Sequence, residues 1–555
     1  MNAARARNRK PRRGAALILV LLLVSVFLIL MGSVIDALAL ESQSSIESAD
    51  SASAVAAAYS GVDLMILSIE EFYDNGIQGG QPPQTVSCQF GRPGGGSVSS
   101  SCTATIAKTW NGNGINYYLI RSNGSAFPTP DKEVDRQIVA LVKQVPFGAY
   151  AHFSESEHSN TGGPIWYSSK QSFDGPVYSG GNMHIMYDSN STTPIFPMGF
   201  TTDQPQQNLQ WMDIEDGNHS KPNTQQEYYS VFGTSGPSFT QSAVNLPGFA
   251  QNLDIFSEAF YGDNQHGDLT DLQNAGQNAG VYVNGGDPNC PSSTLCSGIF
   301  VSGSNVTISS TSVASPNGDL SSGTQTWTIN SPSFATTTVT VDFGANTTTV
   351  SVNGGSTKTY TGVASGEQSD SSLGNGAIFV DGSLSISDGS TVHGQYTVAV
   401  PDPPVNNEGI TLGGSVTDAS DPRNGPSQDE LALWADTVSL KSGNNNPLIE
   451  AMVLTGYANE CIENNCGGWF ANGYCSAKGC NGGGTGTLTL YGSDIENLRG
   501  KMGTVDTNGD PIAGYLRAQT YDPRLGAVPP PFSPTTNLYS IVAIQDVGWG
   551  VSAPR

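Results

Sequence analysis

The sequence predicts one N-terminal transmembrane α-helix of pilin-like length followed by a mainly β extracytoplasmic domain. The expected architecture of that domain is a β-helix-like solenoid, and the alternative is a β-sandwich with insertions. Three observations carry this expectation. Residues 15–35 form an apolar run interrupted only by Ser25, Gly32 and Ser33. The chain of 555 residues contains 66 Gly but only 13% charged residues, a composition suited to extended strands and frequent turns. From about residue 165 onward, short apolar strings bounded by Gly or Asn recur at irregular spacing, as in stacked rungs that bury their faces only against their neighbours; two-sheet packing of the same strands gives the sandwich.

The N-terminus sets orientation. Arg5, Arg7, Arg9, Lys10, Arg12 and Arg13 precede Gly14, and the 21 residues of 15–35 follow. At 1.5 Å per residue they make a helix of about 32 Å, enough to cross a bilayer core. The cations belong on the cytoplasmic side, which puts the remainder outside the cytoplasm. A secretory signal peptide would use Ala37-Leu38-Ala39 as its cleavage site, but it would need a shorter apolar region. A plain signal anchor fits the same segment.

A third reading comes from resemblance. The string Arg12-Arg-Gly-Ala-Ala-Leu-Ile-Leu-Val-Leu-Leu-Leu23 resembles the start of the PilX-type pilus assembly proteins and of the K-type minor pseudopilins. The strings at 430–440, 449–454, 486–493, 497–500, 521–525 and 529–534, and the style of 175–185, resemble the same proteins. The resemblance implies a minor pilin-like component of a type IV pilus or pseudopilus. It implies cleavage by a prepilin peptidase after Gly14, with Ala15 as the new, methylated first residue. The implied partners are other pilin-like subunits, the pilus assembly platform and the membrane. The implied location is the inner membrane, crossed once, with the C-terminal domain in the periplasm or outside the cell. Where most pilins carry Glu, five residues after the cut, this chain has Leu19. The K-type pseudopilin also lacks that Glu and sits at the filament tip, so Leu19 argues against a repeating subunit. The family brings no catalytic residues and no cofactor, and the expectation is a non-enzyme.

After the membrane the helix is expected to continue over residues 41–73. Val62, Met65, Ile66 and Ile69 recur at i, i+3, i+4 and i+7, a stripe for packing on the globular domain. Asn75-Gly76 should end it. The expected organisation is a basic leader (1–14), the helix (15–74), a linker and small β-rich region (75–165) and a β-rich first part (166–309). A Thr/Ser-rich insertion (310–372) and a β-rich C-terminal part (373–555) complete it. Within these, 77–100 reads as a flexible connection, 134–145 as strand or short helix, and 310–372 as two or three strands exposed on both faces. The strings 299–304 and 378–383 are nearly identical.

Charge and cysteine content narrow the function. The net charge is −25, and without the six leader cations the exported part is −31 (−25 minus 6). Such a surface repels nucleic acid. Eight cysteines fit an oxidising compartment. They fall in local groups, Cys88 with Cys102, Cys290 with Cys296, and Cys461, Cys466, Cys475 and Cys480, the last spaced C-x4-C-x8-C-x4-C. Zinc sites favour C-x2-C, so disulfides are the better reading and 461–480 becomes a stapled loop. No metal site is expected. Asp506-Thr-Asn-Gly-Asp510 begins like a calcium loop, but Pro511 and Arg517 occupy the positions that need Gly and Glu, so it reads as a turn. Asp263, Asp268 and Asp271 around His266 read as a solvated face. None of the six histidines has ligand spacing. Asp522 and Arg524 are close enough to pair, which would matter only if buried.

Overall fold

The computed structural model describes Met31, 48–73 and most of 81–548. Within the last span, the description leaves out 92–97, 113, 130–131, 158–164, 169, 189–193, 203–211, 216–224, 235–236, 240–243, 248, 262–271, 273, 275–280, 284–294, 296, 367–373, 401–408, 442–445, 457–467, 472–484 and 506–510. The chain forms two compact units, one of Met1–Trp110, Tyr117–Lys143 and Tyr539–Arg555, the other of Asn111–Asn116 and Gln144–Leu538.

The first unit joins a helix to a sheet. Ser48–Tyr73 is helical and is long and apolar enough to cross a membrane. Its apolar stripe has another use here. Ala58, Val62, Met65 and Ile69 pack on Ala104, Tyr118, Ile120, Ile138, Ala140 and Val142 of the sheet. The expected stripe is therefore buried, and 3.6-residue periodicity explains which side chains enter it. The sheet orders its strands as Thr85–Gly91, Val98–Gly112, Ile115–Thr129, Lys132–Pro146 and Thr535–Gly548. The run 134–145 is thus strand. The expected flexible connection at 77–100 is corrected, because Thr85–Gly91 pairs antiparallel with Val98–Gly112. Cys88 stands opposite Cys102 in that ladder, and the two form a disulfide with S–S 2.07 Å. Closing a loop of this length stabilises by about 3 kcal/mol in the chain-entropy account.

The second unit is mainly β and its strands run largely parallel. Its largest sheet has sixteen strands. Val281–Val283, Ile299–Ser302, Ala377–Asp381, Gln395–Val400, Glu430–Ala435, Leu448–Thr455 and Thr485–Leu498 are successive parallel neighbours. The near-identical strings at 299 and 378 lie side by side in register, Ile299 with Ile378 and Phe300 with Phe379. The Phe300 and Phe379 rings stack at 5.1 Å. Ile299–Val301 and Ile378–Val380 are apolar and buried at successive positions, as strands covered on both faces are. Ile299, Val301, Ile378 and Val380 enter one core, and Phe300 and Phe379 another. Leu253, Phe256, Ala259 and Phe260 of the helix Phe249–Tyr261 pack into that second core. A second run of parallel neighbours comprises Val306–Val313, Leu384–Ile386, Gly409–Leu412, Thr437–Leu440 and Trp469–Ala471.

The Thr/Ser-rich insertion departs from expectation. Val306–Val313, Thr324–Ser331, Phe334–Asp342, Thr347–Val352 and Thr357–Thr361 form an antiparallel meander. Only one face is exposed. Trp327, Ile329, Val339, Val341, Val350 and Tyr360 alternate with the hydroxyl residues and are buried in the main core.

Close approach of helix and sheet in the first unit depends on glycine. A Cβ on Gly124 would fall on the Ala54 carbonyl oxygen and the Ala58 nitrogen, and one on Gly61 would meet the Ser122 hydroxyl. Gly124→Ala is therefore expected to cost about 1–3 kcal/mol by overpacking. Gly91→Ala, whose Cβ meets nothing within 4 Å, should stay within about 0.5 kcal/mol. Denaturant unfolding midpoints of the two variants check the difference.

Candidate functional site

The largest concentration of buried ionisable groups lies where early and late parts of the second unit become neighbours. Thr485–Leu498 pairs with Leu448–Thr455 along one edge. Its other edge pairs first with Pro511–Tyr521 and then with His152–Ser156. The parallel register sets His152 opposite Asp494 and Ser154 opposite Glu496. Two-residue periodicity then points Asp494 and Glu496 to one face. His152, Asp494 and Glu496 are fully buried, and Arg517 is 2% exposed.

The groups pair with one another. Arg517 Nη1 donates to Asp494 Oδ2 and, at 3.2 Å, to Glu496 Oε1. His152 Nδ1 lies 2.9 Å from Asp494 Oδ2, and Nε2 lies 3.0 Å from the Tyr167 hydroxyl. Tyr167 donates to Glu157 Oε1 at 2.7 Å, and Arg499 Nη1 pairs with Glu157 Oε2 at 3.3 Å. The Arg499 guanidinium carbon sits 3.4 Å from the Tyr167 ring centre, a stacked arrangement that holds its plane.

Proton positions follow from these contacts. Burial pushes the Glu157 carboxyl up, but Arg499 and its hydroxyl donors overcome this and hold it below the usual range. It is an acceptor only, so the single Tyr167 proton goes to Glu157. His152 Nε2 must then donate to Tyr167. Burial and Arg499 bring the His152 pKa down to about 3, so the ring is neutral and Nδ1 accepts. Nδ1 and Arg517 together face two carboxyls that share a proton. Burial and the neighbouring Asp494 push Glu496 up to about 8, and burial also raises Asp494 against the pull of Arg517. Two guanidiniums therefore face two negative charges, those of Glu157 and of the Asp494–Glu496 pair.

His152, Asp494 and Glu496 bring ligand atoms within 4.8 Å of one another, as a metal site would. The position such a cation would take is filled by the Arg517 guanidinium, which already uses an oxygen of each carboxyl. The donor set fits a structural network and not a metal centre.

A second buried cluster uses the Asp522–Arg524 pair. Asp522 is buried, caps the short helix Pro523–Ala527 and pairs with Arg524 at 2.6 Å. Arg524 also reaches Asp418 at 3.0 Å and the carbonyls of Ser427 and Asp429. Nearby, His393 Nδ1 lies 2.8 Å from Asp429 and Nε2 lies 2.8 Å from the Ser322 carbonyl. Burial lowers the His393 pKa, but these two acceptors outweigh it and the net shift is upward. His393 thus ties the Thr/Ser-rich meander to the parallel sheet through Ser322 and Asp429.

Of the sequence-derived site residues, Cys88 and Cys102 meet as expected. Gly14, Ala15, Cys290, Cys296, Cys461, Cys466, Cys475 and Cys480 lie outside the described residues, as do His158, His219, His266, the 263–271 acidic loop and the 506–510 turn. Sequence reasoning passed over Asp494, Glu496, Arg499, Arg517 and Glu157. The available signal was charge inside the string Asp494-Ile-Glu-Asn-Leu-Arg499 directly after a strongly strand-like run. Comparisons of the chain with protein families, with curated proteins and with solved structures gave no match.

The network predicts a pH dependence. The Asp494–Glu496 pair holds its shared proton up to about 8 when folded, against 4.5 for an unperturbed Glu. The folded chain then binds more protons between those values, and stability falls as pH rises across the window. Glu155 and Glu430, raised mainly by burial to about 7 and about 8, add to the same fall. Glu496→Gln is expected to fold and to flatten that fall. Arg517→Met, which strips the cation from two carboxyls, should cost about 3–5 kcal/mol. Thermal unfolding at pH 5 and pH 8 reads both; a Glu496→Gln profile parallel to the parent would mean that Glu496 is ionised.

Proposed function

We propose that this chain is a membrane-anchored minor pilin-like component of type IV pilus or pseudopilus assembly, acting at the filament tip or in priming. One observation carries the reading. Six cations and Gly14 precede an apolar run, and the helix downstream, Ser48–Tyr73, lays its stripe on a small sheet, as the outer part of a pilin-type helix would. The Cys88–Cys102 disulfide supports an oxidising compartment. We read the second unit as a β-helix-like solenoid. Its supports are the in-register parallel neighbours and the near-identical strings that stack on each other. In this reading residues 15–35 store the subunit in the inner membrane. They then pack among other pilin helices, and Ala15, Ala16, Gly32 and Ser33 are small enough for close approach. A bulky second unit and Leu19 both favour a single terminal position over a repeat.

The N-terminus of the membrane-bound protein tests this by mass spectrometry. A chain beginning at methylated Ala15 is the expected result. An intact Met1, or a start at Leu40, would sink the pilin reading.

A second reading, a surface adhesin, is favoured by the outer face of the meander. Thr311, Thr326, Thr340, Thr349 and Thr359 stand opposite one another across five strands. Ser309, Thr328, Thr338, Ser351 and Thr357 form the adjacent row. This uncharged hydroxyl surface in a chain of net charge −25 suits a partner rich in hydroxyls, such as a polysaccharide. Deleting 310–372 would strip the core of Trp327, Ile329, Val339 and Val341, so surface changes are the cleaner probe. Thr340→Lys with Thr349→Lys is expected to reduce cell attachment to polysaccharide-coated surfaces with piliation unchanged. Undiminished attachment would remove this reading.

A further inference from the structure

The outer face of the Thr/Ser-rich meander is a two-dimensional array. One row runs Thr311, Thr326, Thr340, Thr349 and Thr359 across the five strands, and the row two residues away runs Ser309, Thr328, Thr338, Ser351 and Thr357. All of these residues are at least partly exposed. Val313, Thr324, Asp342, Thr347 and Thr361 form the bordering row. Every position of the two central rows carries a hydroxyl and none carries a charge. A solvated sheet face ordinarily mixes charged side chains of both signs among its polar ones. The charged residues of this meander are placed away from the array. Asp342 stands in the bordering row, where its carboxylate accepts from the Ala345 backbone N–H at 2.8 Å. Lys358 stands opposite Val350, which belongs to the inward-facing set. An inward charge on an edge strand guards against strand addition, so the meander offers its face and not its edge.

Periodicity sets the spacing of the array. Neighbouring strands lie about 4.7–4.9 Å apart, and residues two apart on one strand about 6.4–6.8 Å. Bonds across strands hold neighbouring hydroxyls in place, Thr349 to Thr359 at 3.0 Å, Ser351 to Thr357 at 2.9 Å and Thr326 to Thr340 at 3.3 Å. Beneath the array, Trp327, Ile329, Val339, Val341, Val350 and Tyr360 are packed in the main core, and close packing keeps the sheet stiff. Each threonine carries a methyl group beside its hydroxyl, so hydrogen-bonding and apolar points share one lattice.

A soluble sugar or an ion is poorly matched by such a face, because small-molecule sites are concave and converge a few polar groups on one ligand. A periodic solid is matched by it. In ice each oxygen bonds tetrahedrally to four others at about 2.75 Å, which puts second-neighbour oxygens about 4.5 Å apart and repeats the stacked layers about every 7.3 Å. The strand spacing differs from the first of these by about 0.2–0.4 Å, and the two-residue spacing differs from the second by less than about 1 Å. We infer that the outer face of the meander binds ice, with the two central hydroxyl rows and their methyl groups docked on the oxygen lattice of a crystal face. A charged side chain would keep its own hydration shell and interrupt that lattice, which accounts for the charge-free rows. The inference rests on the reading of this face as an attachment surface and names frozen water as what the surface grips; it does not depend on how the chain is anchored.

The test offers full-length protein in detergent to a slowly growing ice surface, with serum albumin in the same solution as an excluded bystander. Protein is then measured in the ice and in the remaining liquid. The parent is expected to be enriched in the ice over albumin by about tenfold or more. Thr326→Tyr with Thr340→Tyr, which puts two bulky rings into one row at positions that tyrosine suits as a strand former, should fall to the albumin level with its thermal unfolding midpoint close to the parent. Asn353→Lys, at an exposed turn position outside the rows, should stay with the parent. A parent excluded from ice as albumin is would overturn the inference, whether or not the protein attaches to polysaccharide. A double-tyrosine variant that enters ice as the parent does would overturn the assignment to this face. Entry into ice without attachment to polysaccharide-coated surfaces would support ice and remove polysaccharide as the partner.

Discussion

The second unit depends on one junction. Thr485–Leu498 must accept, on a single edge, a strand that follows it and a strand that precedes it by more than three hundred residues. Apolar packing alone does not specify that pairing. Strands such as Ile299–Ser302 and Ala377–Asp381 are apolar on both faces, so sliding one by a residue exchanges one hydrophobic contact for another. The charge network is not so tolerant. A one-residue slip of His152–Ser156 along Thr485–Leu498 would turn His152 to the opposite face and take the imidazole from between Asp494 and Tyr167. Buried ion pairs contribute little net stability, because desolvation offsets their attraction. Their cost when mispaired is large, and that asymmetry helps fix the register where the chain order is interrupted.

The same asymmetry explains what could be read from sequence. Local features were legible because their determinants are near in sequence. The stripe Val62, Met65 and Ile69 is a helical period. Cys88 and Cys102 lie fourteen residues apart on one hairpin. The strings at 299 and 378 were visible as near-identical, and they lie side by side. The meander misled because its Thr and Ser content drew attention from Trp327, Ile329, Val339 and Val341 between them, which are a regular inward face. The 77–100 stretch misled because its Gly and Pro content hid the strand Thr85–Gly91 and the start of Val98–Gly112. The site was invisible for another reason. Asp494-Ile-Glu496 alternates charged and apolar residues and so looks like an exposed strand face. Only the arrival of His152 and Arg517 from elsewhere in the fold makes those carboxyls interior.

Polar groups in the second unit thus divide by what they face. Several ionisable groups that face inward are paired: Arg517 with Asp494 and Glu496, Arg524 with Asp522 and Asp418, His393 with Asp429. Outward, the meander carries hydroxyls, several of which bond across strands, as Thr349 with Thr359 and Ser351 with Thr357. Between these two regimes stands Arg499, held by stacking and one ion pair yet retaining an unused Nε. It shares that state with Asp494 and Asp418, each of which keeps one buried oxygen without a partner among the described residues.

Chain topology supplies the last step. Lys132–Pro146 and Thr535–Gly548 are neighbours in the sheet of the first unit, and residues 147–534 intervene between them. The chain leaves that sheet and returns to its next strand. Loop-closure entropy grows only with the logarithm of the excursion, about 0.6 kcal/mol for each doubling, and an excursion with its own buried cores carries its own stabilisation. A helix-and-sheet unit of modest size can therefore hold a far larger insert without surrendering its own packing, which rests on Gly61, Gly124 and the Ala58–Ile69 stripe. Repetition along a fibre is a harsher demand, since every copy must accommodate its neighbours' inserts as well as its own.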